Sequence, residues 1–334
     1  MKNDFLQTEE AIAFVKEIFA QELAKQLKLT KVSSPIAVMD GTGINDDLNG
    51  IERTVKFPVK SLQEKPAVIV NSLAKWKRIR LQELRIEEGR GILTDMRAIR
   101  PDEDYSPIHS IYVDQWDWEK KIHSSDRTLG VLKAHVISIY ESLKSTEKKV
   151  ALLYPHLKAS LPEKITFIHA EELLLLYPTL SVKERESEIA KAYGAVFIIG
   201  IGGKLSNGEY HDGRAPDYDD WSSKNEAGYF GLNGDIVVWH PELQSAFEIS
   251  SMGIRVDKKT LLTQLEERGV LDRQNLHFHS LLLNDQLPQS IGGGIGQSRV
   301  VMFMLKKKHI GEVQVSLWPD AIREESMKAG VYLL

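Results

Sequence analysis

The stretch Gly292-Gly293-Gly294-Ile295-Gly296-Gln297-Ser298-Arg299, with the apolar run Val300 to Leu305 behind it, carries the densest chemical signal in the chain. Glycines at this density let a backbone pass close to a ligand. The apolar run predicts a buried helix, so the stretch reads as a glycine loop feeding a helix N-terminus. Free N–H groups and the positive dipole end receive an anion there. Arg299 falls in the first turn, placed for a phosphate. Nucleotide binding is the expectation, although neither familiar fingerprint is complete. A Walker A loop fails because Leu205 follows Gly203-Lys204 and Ile198 stands where the first glycine belongs. The G-x-G-x-x-G pattern fails at Leu205 after Gly200-Ile201-Gly202, and at Gln297 after Gly292-Gly293-Gly294.

Four further groups could do chemistry. In Arg97-Ala98-Ile99-Arg100-Pro101-Asp102-Glu103-Asp104, Pro101 enforces a turn. Arg100 there could grip a phosphate while Glu103 orients a base or an amino group; a solvated charged loop would look the same. In Tyr112 to Trp118, alternation predicts a strand that puts Val113, Gln115 and Asp117 on one face. Asp217-Tyr218-Asp219-Asp220-Trp221 is an acidic turn with aromatic walls, suited to Mg²⁺, to an ammonium group, or to water. His211, just before it, is read as structural. Finally, Asp235 opens one apolar strand and Glu248 lies on another. If the two pair, two hard oxygen ligands could converge on a Mg²⁺ that also holds phosphates, with Arg255 nearby.

The elements that must position these groups follow from periodicity. Helices are expected over Thr8 to Leu29 (capped by Thr8), Leu73 to Leu84, Leu129 to Thr146, Val182 to Tyr193, Asp257 to Arg268 and Asn275 to Leu283. Strands are expected at Val55 to Val59, Val68 to Val70, Ile108 to Val113, Val196 to Ile201, Ile236 to Trp239, Phe247 to Ile249 and Val313 to Trp318. Strands come in groups rather than alternating with helices, which favours an α+β design with an antiparallel sheet. No linker or repeat divides the 334 residues, so one domain is expected. At 42% hydrophobic and 27% charged, the composition is that of a soluble globular protein. No apolar run approaches a membrane span of about 20 residues. Met1-Lys2-Asn3-Asp4 lacks the apolar core of a secretion signal, and a cytoplasmic location is expected. A net charge of −4 argues against a nucleic-acid partner. There are no cysteines, which excludes disulfides, thiolate metal sites and a cysteine nucleophile.

The order of these signals resembles a known superfamily. The first helix leading to Val32-Ser33-Ser34-Pro35-Ile36 is similar to motif 1 of the class II aminoacyl-tRNA synthetases. Arg100-Pro101-Asp102-Glu103 is similar to motif 2, and Gly292 to Arg299 to motif 3. More narrowly, five segments in order resemble the ammonia-dependent asparagine synthetases: Asn71 to Arg78, Arg100 to Asp104, Tyr112 to Trp118, Arg214 to Trp221 and Ile291 to Arg299. The resemblance implies a class II synthetase-like catalytic domain over residues 1–334. A central antiparallel sheet of six to eight strands would be flanked by helices, and a homodimer built across motif 1. No separate anticodon-binding or glutaminase domain is expected. The lack of a cysteine nucleophile agrees with free ammonia, not glutamine, as the nitrogen source.

That family's chemistry implies two steps: L-aspartate attacks the α-phosphate of ATP to give β-aspartyl-AMP, and ammonia then displaces AMP. The implied ATP set is Arg100, Glu103, Asp235, Glu248, Ser251, Arg255, Gly294 and Arg299, with Mg²⁺ on Asp235 and Glu248. For aspartate, Lys77 is the expected carboxylate ligand, Ser72 and Gln115 add hydrogen bonds, and Asp219 or Asp117 holds the α-ammonium beside Tyr218. Asp46, in the loop Gly41-Thr42-Gly43-Ile44-Asn45-Asp46, is the expected base for ammonium, with Asp219 as the alternative. Two other readings stand beside this one: a free-standing synthetase paralogue that adenylates an amino acid for another acceptor, and a synthetase-like regulator without catalysis.

Overall fold

The structure, a computed structural model, describes residues 5–46 and 52–334. Met1 to Asp4, read above, lie outside them. Helix α1 (Phe5–Leu27) leads into β1 (Leu29–Lys31). β2 (Ala37–Met39), β3 (Lys56–Val59) and β4 (Lys65–Ile69) form a small sheet in the order β2-β4-β3. Helix α2 (Ala74–Glu83) follows, then β5 (Gly91–Ile99) and β6 (Tyr112–Lys121), joined through residues 100–111. Next come α3 (Leu129–Leu153), β7 (Thr166–His169), α4 (Ala170–Leu176), α5 (Val182–Tyr193) and β8 (Ala195–Ile199). After a long loop, β9 (Asn233–His240) and β10 (Ser245–Ile254) form a hairpin. Helices α6 (Lys258–Glu267) and α7 (His277–Leu283) precede β11 (Ser290–Gly296), which runs directly into α8 (Gln297–Met304), and α9 (Asp320–Lys328) comes last.

Eight strands make one sheet in the order β1-β5-β6-β11-β10-β9-β8-β7. Every pairing from β5 to β8 is antiparallel, and only the two edge pairings, β1 with β5 and β7 with β8, are parallel. The antiparallel expectation therefore holds for the interior. The edges differ because β1 and β7 are short strands that pair with partners running the same way.

One face of the sheet is closed by a core that α1 builds with Val15, Phe19, Leu23 and Leu27, spaced four residues apart and all buried. α3 lies beside it, and Phe19 meets the Trp116 ring with centroids 4.5 Å apart. Alternation along β6 sends Trp116 and Trp118 into that core and leaves Val113, Gln115 and Asp117 to line the opposite face. Truncating Phe19 to alanine would cost about 3–5 kcal/mol.

Several expectations are corrected. Thr8 lies inside α1 and caps nothing. Residues 108–111 belong to the loop before β6, where Pro107 and a Ser106–His109 bridge hold the chain in a turn. Residues 314–319 form no strand; Gln314 instead hydrogen-bonds Ser110 Oγ at 2.7 Å and Ser298 Oγ at 3.0 Å with its side chain. The largest correction concerns Gly292 to Gly296. They are not a loop but the body of β11, in the middle of the sheet between β6 and β10, and none has positive φ.

Candidate active site

The glycines of β11 serve their neighbours' side chains. A Cβ on Gly292 would lie 1.9 Å from Glu119 Oε2, one on Gly293 2.6 Å from main chain at Ser251, and one on Gly294 2.4 Å from Gln115 Oε1. β11 is thus a bare strip across which β6 and β10 reach toward one another. Above it opens a cavity of about 480 Å³, within the usual range for small-molecule sites.

Among the expected residues, Lys77, Asp46, Ser72, Gln115, Asp117, Tyr218 and Asp219 all line this cavity, as do Arg100, Glu103, Glu248, Ser251, Arg255, Gly294 and Arg299. Asp235 does not. It sits one layer back, its Oδ1 accepting from Arg214 Nη2 and from Ser251 Oγ, both at 2.6 Å.

Toward α2 and β6 the walls carry paired charges. Lys77 Nζ bonds Asp117 Oδ1 and donates to the Gly293 carbonyl at 2.9 Å. Burial pushes the Lys77 ammonium down against the pull of Asp117. Arg255 is clamped by Glu119, with Nε–Oε1 3.0 Å and Nη2–Oε2 2.8 Å, and by Asp219 through Nη1. Burial alone would raise the Glu119 carboxyl, but the Arg255 guanidinium more than offsets it and holds it low. Arg255 therefore enters the site with its charge already met by two carboxylates. Arg214 Nε lies 3.5 Å from Asp219 Oδ2. The Tyr218 phenol is pushed up, first by burial and then by the charge of Asp46. Ser72 Oγ accepts from the Ala74 N–H at 3.1 Å at the start of α2.

The acidic turn is not solvated. Asp217 takes Lys75 at 2.9 Å and His279 at 3.0 Å, Asp219 takes Arg255, and Asp220 takes Arg127 at 2.5 Å. Each carboxylate is buried with its own cation. His211 is structural as read, buried and 3.0 Å from Glu186.

At the other end, Arg100 Nη2 donates to the Asn71 carbonyl at 3.3 Å, while its Nε is buried with no partner. Arg299 is aimed by a device that sequence reasoning missed. Its Nη2 lies 2.8 Å from His109 Nε2, and its Nη1 donates to the Glu248 carbonyl at 3.1 Å. A guanidinium only donates, so Nε2 must accept, which leaves the proton on Nδ1, 2.8 Å from Ser106 Oγ. Burial, then the Arg299 charge, pushes His109 down to about 4 and keeps it neutral. The α8 N-terminus is also already served: the Ser298 N–H donates to Asp114 Oδ1 at 3.0 Å.

Two residues the sequence quoted only as motif members thus prove central: Arg214, joining Asp219 to Asp235, and Asp114, capping α8. Asp114 stands among aromatics and Arg214 just ahead of the acidic turn, and neither position says which partner the charge meets. Asp235 and Glu248 are hard oxygen donors of the kind a divalent cation takes, although the Arg214 and Arg299 guanidinium groups already lie 2.6 Å and 3.5 Å from them. Asp235 is pushed up to about 7, mainly by burial and also by the Glu248 charge, and a cation between them would relieve both. Among the described residues no three of His, Asp and Glu cluster as a metal site, so the remaining ligands would be substrate oxygens or water.

The family model described as aspartate-ammonia ligase matches residues 6–330. A relative named aspartate–ammonia ligase from Parabacteroides distasonis is 54% identical over 328 residues, 98% of this chain and 95% of its own. One of the same name from Clostridium perfringens is 52% identical over 328 residues, again 98% and 95%. Among solved structures, asparaginyl-tRNA synthetase from Pyrococcus horikoshii complexed with asparaginyl-adenylate superposes with a TM-score of 0.69 at 16% identity, over 94% of this chain and 70% of that one. Aspartyl tRNA synthetase from Entamoeba histolytica does so with a TM-score of 0.60 at 14% identity, over 93% and 60%. Those two likenesses speak for the fold, that of class II aminoacyl-tRNA synthetases. The family match across nearly the whole chain goes further, and with it the chain belongs to the aspartate–ammonia ligases.

Proposed function

We propose that this chain joins ammonia to the β-carboxylate of L-aspartate through β-aspartyl-AMP, with ATP as the activating substrate. The observation that carries this reading is one cavity with a lysine–carboxylate pair toward α2 and arginines at the other end. A dicarboxylic amino acid suits the first, a polyphosphate the second.

In the first step a β-carboxylate oxygen attacks the ATP α-phosphorus, and pyrophosphate leaves with the electrons of the broken P–O bond. The protein's part is to bring two anions together, which is a task of positioning and charge neutralisation. Lys77 has one proton uncommitted and Asp117 a buried unpartnered Oδ2, so together they match a carboxylate and the α-ammonium of aspartate. Gln115 and Ser72 complete the aspartate contacts. Arg100 meets the α-phosphate with its unpartnered Nε, and Arg299 meets the adenine or the outer phosphates. Glu103, Ser251 and the bare strip at Gly294 shape the nucleotide site. Asp235 and Glu248 would hold the Mg²⁺ that accompanies ATP, and that ion would offset phosphate charge.

In the second step the nitrogen lone pair forms a bond to the β-carbonyl carbon. AMP leaves with the electrons of the C–O bond, and the nitrogen sheds a proton. Asp46, buried beside Tyr218, is the base in this reading. A homodimer across α1 and the segment near Ile36 and a cytoplasmic location complete the proposal; Ile36 is 63% exposed, consistent with a covering partner. Among the described residues no helix is long and apolar enough to cross a membrane.

The test is product analysis with aspartate, MgATP and ammonium chloride, beside glutamine in place of ammonium. One asparagine per AMP, from ammonium, is expected. Aspartate-dependent pyrophosphate exchange without asparagine would move the search to another acceptor.

A further inference from the structure

Asn71 is fully buried, and neither its Nδ2 nor its Oδ1 meets a partner. Its main chain is well used: the N–H donates to Asn45 Oδ1 at 2.8 Å, and the carbonyl accepts from Arg100 Nη2 at 3.3 Å. Buried amides are nearly always paired, because desolvating one without compensation is costly. The other two buried asparagines each use the side chain, although Asn233 Oδ1 is also without a partner. Asn225 donates to the Gly231 carbonyl and accepts from the Ala227 and Tyr229 N–H groups, and Asn233 donates to the Ile201 carbonyl. Those two hold loops together. Asn71 holds nothing with its side chain and lines the cavity with Asp46, Ser72, Lys77 and Arg100.

An amide kept unsatisfied on a cavity wall is matched to something that enters. Lys77 and Asp117 answer one carboxylate and the α-ammonium of aspartate, the β-carboxylate is the group that becomes activated, and the phosphates have Arg100 and Arg299. What is left to position is the nucleophile, for which Asp46 supplies a base but no neutral acceptor. Ammonia can attack only with its lone pair aimed at the carbonyl carbon, so its N–H bonds must be held by acceptors. A carboxylate alone would favour the ammonium ion, whose lone pair is blocked. A neutral amide oxygen holds the nitrogen without adding charge. The Asn45 bond also ties the Asp46 loop to Asn71, so base and amide oxygen are fixed by one hydrogen bond.

We propose that Asn71 is a catalytic residue of the second step: Oδ1 accepts a hydrogen bond from the incoming ammonia, and Nδ2 donates to the acyl oxygen on which charge develops. The inference rests on the two-step reading above. The nitrogen lone pair forms the C–N bond, AMP departs with the C–O electron pair, and Asp46 takes the proton that the nitrogen loses. Asn71 itself exchanges no proton.

Asn71→Leu keeps the volume and removes both polar atoms. It should raise the KM for ammonium at least about tenfold, while aspartate-dependent ATP–pyrophosphate exchange stays within about threefold of the unmodified protein. Asn71→Ser, which keeps a small polar group, should fall between and serves if the leucine variant does not fold. Exchange falling in step with synthesis would overturn the proposal, as would an unchanged KM for ammonium. The unmodified protein separates the two levels: if it forms no asparagine from ammonium, the two-step reading itself fails whatever Asn71 does.

Discussion

Lys77 and Asp117 form an ion pair inside the protein, and each holds one position back. Lys77 spends two of its three protons, on Asp117 Oδ1 and on the Gly293 carbonyl, while Asp117 Oδ2 is buried without a partner. A pair that satisfied itself completely would have nothing to offer a zwitterion.

Lys77→Ala is expected to reduce kcat/KM for aspartate by at least about a hundredfold. By stranding the Asp117 charge it should also lower stability by about 3–5 kcal/mol. The double variant Lys77→Met, Asp117→Leu should regain much of that stability and none of the activity. Urea denaturation beside steady-state kinetics reads both; equal stability of single and double variants would argue that the pair is not desolvated.

Arg100→Ala should slow aspartate-dependent pyrophosphate exchange by about 10²–10³, the loss typical for a donor aimed at developing charge. Arg100→Lys should recover little, because an ammonium has no Nε at the position that the planar guanidinium presents. Near-normal exchange in either variant would remove Arg100 from the phosphate site.

Asp46→Asn should spare exchange and damage synthesis, since the first step needs no base for nitrogen. Raising the pH should partly restore its synthesis by supplying more free ammonia. Equal loss of both activities would count against Asp46 as the base.

The bare strip of β11 allows a graded test. Gly292→Ala would drive a Cβ into Glu119 Oε2 at 1.9 Å and Arg255 Nη2 at 2.7 Å, breaking a buried ion pair. It should lose at least about 3 kcal/mol or fail to fold. Gly294→Ala meets only the end of the Gln115 side chain. It should fold with near-normal stability and raise the KM for aspartate, as measured by thermal melting and initial rates.

Acid should destabilise the core through His240. Packed against Phe247 and Phe303, it is pushed from 6.5 down to about 4, by burial and then by the Lys306 charge. Between those values the unfolded chain binds the extra proton and the folded chain does not. The stability due to the neutral ring is therefore complete above about pH 6.5 and lost as pH falls toward 4. His240→Phe should flatten the fall of the urea midpoint over that window. Some slope should remain, because His109 is pushed down to about 4 as well. Parallel curves for both proteins would contradict the assignment.

The sequence made the site's membership legible far better than its internal wiring. Periodicity located α5, whose faces differ in polarity, and apolar runs marked β9 and β10, which are buried along most of their length, without saying that they pair. It mistook β11 for a loop, since glycine says only that no side chain fits and not whether ligand or neighbour fills the room. The family resemblance put Lys77, Asp117, Asp219 and Arg255 in the site but gave each as a ligand group. Their mutual pairing depends on β6, β10 and the residue-217 turn converging, and no local pattern encodes that. His109 was invisible because its role needs Arg299, 190 positions away.

The glycine strand has one more consequence. At Gly293 and Gly294 main chain helps to floor the cavity, and the Gly293 carbonyl is itself a partner of Lys77. A peptide group cannot be exchanged by mutation. Substitution can reshape the walls and the rim, but no exchange of a side chain removes this acceptor. The placement of Lys77 is thereby tied to the geometry of the sheet, although a side chain added at Gly292 or Gly294 would still press on Glu119 or Gln115 beside it.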